Sequence, residues 1–370
     1  MNRLAAALFA LPIAVASMAA CTGRSFEDEP KVTTSTLEAP PAGEGFQFRT
    51  QLFSVAPGEE VQDCYFYKIS DLAKQGGLPE NEPVNLHRVR IVQRDGSHHM
   101  NLFRVKTIVK DAEGKVQLGP ELGPVSRGKN GQGACFKSPL WADWPLVANS
   151  QVDGEVDWTF PDGVANVFQP DEWIMLQTHY VNASSQKTPD SAEVVINWHT
   201  IPKDQVKHEM GTLFATKQSI RVCKSNPTPE YTGSCQFKNA AAPINIIGAN
   251  GHFHGRGRAF EMYSWDGMTT SKPDASKRFY RSETWDEPPM LRSPELNVEV
   301  QPKGGVFFSC SYQWTPPTDE AGGCKGLDDY DKNPEKDCCY TFGPIVEKNE
   351  HCNIFVYYWP KQEAGDVFCN

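Results

Sequence analysis

An excess of positive charge is missing from this sequence. Its 36 Lys and Arg stand against 46 Asp and Glu, a formal net charge of −10. A nucleic-acid partner needs a basic footprint, so that class is excluded. Sustained helical periodicity is missing too: no long window repeats its apolar residues every 3.6 positions, which argues against a helical fold. There is no paired Cys-x-x-Cys pattern, and with it goes the usual thiolate zinc site. The apolar run from Leu4 to Ala16 is too short and wrongly flanked to be a stable membrane span. No convincing repeat relates the two halves of the chain.

What is present points to β-structure. The 370 residues allow two domains or one large one. With 29 Gly and 28 Pro, the composition suits short strands joined by many turns. Segments rich in Val, Ile, Phe, Tyr and Trp predict strands at Val89–Gln93, Asn101–Lys106, Trp173–Asn182, Glu193–His199, Ile244–Ala249, Arg258–Trp265, Gly305–Gln313 and Asn353–Tyr358. Clusters of Gly, Pro, Asn and Asp separate them. The fold class expected is all-β, built as sandwiches. A seam at Ile201–Gln205 divides it into 46–203 and 204–370.

The N-terminus reads as an address. Arg3, the apolar run and a small-residue end make residues 1–21 a signal peptide. Met18-Ala19-Ala20-Cys21 is similar to a bacterial lipobox, in which the cysteine is acylated and becomes the new N-terminus. Cleavage as a plain secretory signal would remove Cys21 instead. Thr22, with no aspartate after the cysteine, suits an outer-membrane anchor in a Gram-negative host. Residues 22–45, polar and Pro-containing, read as a flexible tether. Either way the 11 cysteines lose Cys21, and ten remain for an oxidising compartment, enough for five disulfides. Spacing alone does not fix their connectivity, although the neighbours Cys338 and Cys339 must take different partners.

The chemistry lies in the histidines. Six of nine are arranged informatively: His98-His99, His179, His252-Phe-His254 and His351. On a strand, residues two apart point to one face, so His252 and His254 can share a metal. Adjacent histidines point to opposite faces, so His98 and His99 share one only if the backbone bends, as at a bulge. A third imidazole from another strand completes each set. Imidazole without thiolate in an oxidising compartment suits copper or zinc. His87, His199 and His208 read as surface or core residues.

These motifs, in this order, resemble the copper type II, ascorbate-dependent monooxygenases, which include peptidylglycine α-hydroxylating monooxygenase and dopamine β-monooxygenase. The likeness runs from about residue 50 to 370. It is carried by His98-His99-Met100 with Phe103, by Gln177-Thr-His179-Tyr180, by Cys235-Gln-Phe-Lys238 before His252-Phe-His254-Gly255, and by His351-Cys352-Asn353 before Ile354–Tyr358. It implies two tandem jelly-roll-like β-sandwiches, one copper each, facing each other across a solvent cleft. His98, His99 and His179 would hold the electron-storing copper. His252, His254 and His351 would hold the copper at which O2 and substrate react, making these the catalytic residues. Ascorbate or another one-electron donor would reduce both, and a C–H bond of a small molecule or peptide would be hydroxylated. The membrane would be touched only through the N-terminal lipid. The likeness also implies the pairs Cys310–Cys352, Cys235–Cys369 and, more loosely, Cys64–Cys135, leaving Cys223, Cys324, Cys338 and Cys339 unassigned.

The chain departs from that family at named positions. His351 stands where the family has methionine, a softer ligand favouring Cu(I). Val105 replaces a cysteine, Asn250 replaces a substrate-binding arginine, and Phe355 replaces a substrate-binding tyrosine, while Asn353 is kept. Asn250 and Asn353 remain candidate substrate contacts, but a glycine-extended peptide is a poor fit. Trp141, Trp144 and Trp158 are candidates for an apolar pocket or, more simply, for core packing. A non-catalytic copper or electron-transfer protein on the same fold is the alternative. A glycan-directed pair of sandwiches is a third reading, with no carboxylate pair to single out.

Overall fold

Two antiparallel β-sandwiches dominate the computed structural model, which describes residues 37–370 apart from 94–96, 124, 130–132, 136–143, 151–153, 183–192, 287, 318–336 and 344. The fold is all-β. The signal peptide, most of the tether, Cys21, Trp141 and Cys324 lie outside the described residues.

In the first sandwich, one sheet is built on Val84–Gln93 and Val194–Thr200, with Gly45–Arg49 at one edge. The other has Trp173–Val181 at its centre, between Glu60–Lys68 and Ser97–Val105, and Leu146–Ser150 beyond the latter. In the second sandwich, Asn353–Trp359 lies between Gly211–Thr216 and Ile244–His252. The facing sheet runs Glu230–Gln236, Gly305–Tyr312, Gly257–Trp265 and Arg278–Ser282. The seam expected near Ile201–Gln205 coincides with a 3-10 turn at Lys203–Gln205, although His208–Glu209 still pairs with the first sandwich.

All eight segments predicted as strands are strands, most of them longer than expected at one end. One short helix, Ile69–Gln75, buries Ile69, Leu72 and Ala73 at helical spacing and is too brief to leave a periodic signal.

The central strand Trp173–Val181 is buried on both faces. Ile174, Leu176, Thr178 and Tyr180 point one way, and Met175, Gln177 and His179 the other. The second face carries a polar strip, continued across the sheet by His99, Asn101 and Asn149. That strip meets the second sandwich. Asn149 Nδ2 donates to Asn250 Oδ1 at 2.9 Å, and the Tyr357 hydroxyl donates to Asn149 Oδ1 at 2.9 Å. Tyr357 also packs edge-on against Trp158, ring centroids 5.1 Å apart. Gly248 permits this approach: a Cβ there would meet the Tyr357 ring at 2.9 Å and the Trp158 ring at 3.0 Å. One apolar core accordingly runs from the first sandwich into Ile247, Phe355 and Tyr357 of the second.

The structure pairs Cys64 with Cys135, Cys235 with Cys369, Cys310 with Cys352 and Cys223 with Cys339. Cys338 is also disulfide-bonded. Disulfides on this scale belong to an oxidising, extracytoplasmic environment.

Candidate metal centre

The bend that adjacent histidines require is present. Ser97–Val105 pairs with Trp173–Val181 in register from Val105 to His99, opposite His179; the next pair is Ser97 with Tyr180. His98 is thus the extra residue of a β-bulge, and the bulge turns it to the side of His99. The three rings cluster, with centroids 4.9 Å apart for His98–His99, 5.1 Å for His98–His179 and 4.7 Å for His99–His179. One nitrogen from each lies within 4.8 Å of the others.

The second triad forms where two strands end together. His252 is opposite Asn353 across the sheet, so two residues further on His254 comes to face His351. Their rings are 4.5 Å apart, and His252 lies 5.2 Å from His254 and 5.1 Å from His351. Here too one nitrogen from each lies within 4.8 Å of the others.

The nitrogens suit ligation. The buried Nε2 of His98, Nδ1 of His99 and Nδ1 of His351 have no hydrogen-bond partner among the described residues. Buried polar atoms are ordinarily paired, so three such nitrogens aimed into two clusters fit a metal. Other ring nitrogens are held from behind. His179 Nε2 donates to Glu60 Oε1 at 2.8 Å, leaving Nδ1 to face the cluster. His254 Nδ1 donates to the Asn349 carbonyl at 3.0 Å, leaving Nε2. Such backing fixes tautomer and ring orientation and raises ligand basicity. Replacing Glu60 with glutamine is expected to lower metal affinity at the first triad by about 10–100-fold, measured by competition with a chelator. An unchanged affinity would show that Glu60 has no such role.

Burial keeps five of the imidazoles neutral. Burial, with the neighbouring His179 adding to it, pushes His98 and His351 down to about 3. Burial, and then the surrounding imidazoles, also holds His99, His252 and His254 well below the ordinary histidine range. Neutral imidazole is the ligating form. Glu350, next to His351, is fully buried, and burial pushes it up to about 7. Its carboxylate accepts the backbone N–H of His254 at 3.0 Å and of Arg256 at 2.9 Å, so it braces the turn carrying the HxH pair.

The remaining candidates fall into place around the triads. Arg256 donates to the carbonyls of Val346 and Glu347 and covers the Tyr340 ring, so its charge is spent on the loop before His351. Arg258 donates to the carbonyls of Gly255 and Gly257. Asn250 is committed to Asn149 across the sandwich boundary. Asn353 is fully buried beside His252, and both its side-chain polar atoms lack a hydrogen-bond partner among the described residues. Trp144 and Trp158 are core residues. His208 stacks on Trp359, and His87 Nδ1 lies 2.8 Å from the Val164 carbonyl. Cys223, Asp337 and Cys339 also sit close together, but the two thiols are spent in a disulfide.

Sequence reasoning missed Glu60, Glu350, and the aromatic walls Trp285 against His98 and Phe342 against His351, at 5.6 and 4.9 Å. Only Glu350 carried a signal, its adjacency to a ligand. The solvent cleft that the resemblance implies between the two triads is not found among the described residues. His99 and His252 lie 5.3 Å apart ring to ring, and five of the six histidines are buried. Facing polar strips and a shared apolar core bring the sandwiches into contact there.

No family model and no curated protein matches the chain. Among solved structures it overlaps the cryo-EM structure of Broad Bean Stain Virus at 8% identity, covering 93% of this chain and 98% of that one, with a TM-score of 0.31. The PBSX exported protein XepA follows at 7% identity, 76% and 99% coverage and a TM-score of 0.18. The tandem CBM22 domains of Paenibacillus barcinonensis Xyn10C give 9% identity, 88% and 100% coverage and a TM-score of 0.16. Likeness this slight carries no reading of activity, ligand or partner.

Proposed function

We propose that this chain is a copper-dependent monooxygenase that hydroxylates a C–H bond of a small molecule or peptide, using O2 and a one-electron donor such as ascorbate. The observation that carries the reading is the pair of buried all-imidazole triads, His98–His99–His179 and His252–His254–His351, one on each sandwich. The order of these motifs along the chain, similar to that of the copper type II monooxygenases, supports copper over zinc. Copper bound there supplies the one-electron steps between donor and dioxygen.

The chain's own residues do the rest. Glu60 and the Asn349 carbonyl orient two of the imidazoles, and Glu350 holds the backbone on which His254 sits. Trp285 and Phe342 give the site apolar walls that limit water. Export and attachment to an outer membrane through Cys21 belong to the same proposal and agree with the disulfide-bonded fold. The test is reconstitution with copper, followed by ascorbate-driven oxygen uptake and a mass-spectrometric search for a product heavier by one oxygen. Failure to retain copper would defeat the reading.

His351 favours a second reading, a copper-binding or electron-transfer protein without turnover, because a third imidazole stabilises Cu(II). Replacing His351 with methionine is expected to raise the Cu(II)/Cu(I) potential of its centre and change its EPR spectrum. If neither moves, His351 is not a ligand. Two retained coppers without substrate-dependent oxygen uptake would select the second reading.

A further inference from the structure

We infer that the two histidine triads form a single six-imidazole chamber, in which two bound copper ions make one magnetically coupled dinuclear centre. The inference rests on the proposal that both triads bind copper, and goes beyond it to how the two ions relate.

The shortest distance between the triads is only slightly longer than the distances within them. Within each triad the rings are 4.5–5.2 Å apart. Between triads, His99 lies 5.3 Å from His252, and His98 lies 6.2 Å from His252 and 6.5 Å from His254. At 5.3 Å, the His99 and His252 rings leave no room for a side chain between them. His252 faces both histidines of the opposing bulge as well as its own two partners, so it sits at the junction of the sets. A ligating nitrogen is only about 2 Å from its metal, so ions held by rings in mutual contact are near neighbours.

The fold holds the two halves at this separation. Asn149 bonds both Asn250, two residues before His252, and Tyr357 on the adjoining strand. The shared apolar core beneath these bonds resists opening. Separation of the triads would break two buried hydrogen bonds and expose that core.

Coupled Cu(II) ions have a spectroscopic signature that does not depend on turnover. The full chain, stripped of metal and reloaded with Cu(II), is expected to bind two ions while its integrated EPR intensity accounts for less than half of them. A His252→Gln/His254→Gln variant is expected to keep one copper, which then contributes its full spin. Two coppers per chain with full intensity from both would overturn the coupled centre and leave the copper proposal standing. One copper per wild-type chain would also overturn it. No retained copper would defeat the underlying metal reading as well, so the two failures are distinguishable.

Discussion

Replacing His254 with alanine is expected to lower the bound copper from two ions per chain to one and to bring ascorbate-driven oxygen uptake down to background. His254 is buried, and its ring is fixed by the bond from Nδ1 to the Asn349 carbonyl, so Nε2 has one direction to point. No other side chain among the described residues takes its place, because His252 and His351 already supply one nitrogen each to the cluster. Changes behind a ligand typically reduce metal affinity by about 10–100-fold, and losing the ligand itself is expected to exceed that range. The first triad keeps His98, His99 and His179 and is expected to keep its ion. Metal analysis after dialysis, with circular dichroism to check the fold, separates ligand loss from unfolding. A folded variant that retained two ions and its turnover would remove His254 from the site.

The histidines were legible in the sequence, but the way they are held was not. Val, Ile and aromatic runs marked the middles of strands, and these are where the structure has them. The strand ends were read short at the places that carry the site. Ser97–Met100 and Gly251–His252 extend their strands through Ser, His and Gly, which are poor strand signals, and tertiary pairing overrides that preference. The need for a bulge at His98-His99 followed from strand geometry alone, and the skipped register at His98 meets it. Glu60 was invisible because it lies nearly 120 residues from His179 and meets it only through strand pairing, a relation that no local pattern encodes. The close approach of the two triads was equally hidden. It depends on Asn149, Asn250 and Tyr357 meeting across two sandwiches, and each of these taken alone reads as an ordinary polar or aromatic residue of a strand.

The metal-free protein is expected to lose stability as the pH falls from 7 to 5. His98 and His351 titrate at about 3 in the folded chain, while in the unfolded chain they titrate at the ordinary value of 6.5. Between those values the unfolded state binds the protons and the native state does not, so stability is intact above pH 6.5 and drains away as pH falls toward 3. At pH 5 each of the two contributes a loss of about 2 kcal/mol. Glu350 acts in the opposite sense. Raised from 4.5 to about 7, it favours the protonated native state as pH falls through that window, a gain of about 2.5 kcal/mol at pH 5. The histidines win, because His99, His252 and His254 shift in the same direction as His98 and His351. Urea unfolding of the metal-free chain at pH 7 and pH 5 is expected to show the lower midpoint at pH 5. A Glu350→Gln variant removes the offset and is expected to steepen the dependence. A midpoint that did not move, in wild type and variant alike, would mean that these five imidazoles are open to water and not enclosed.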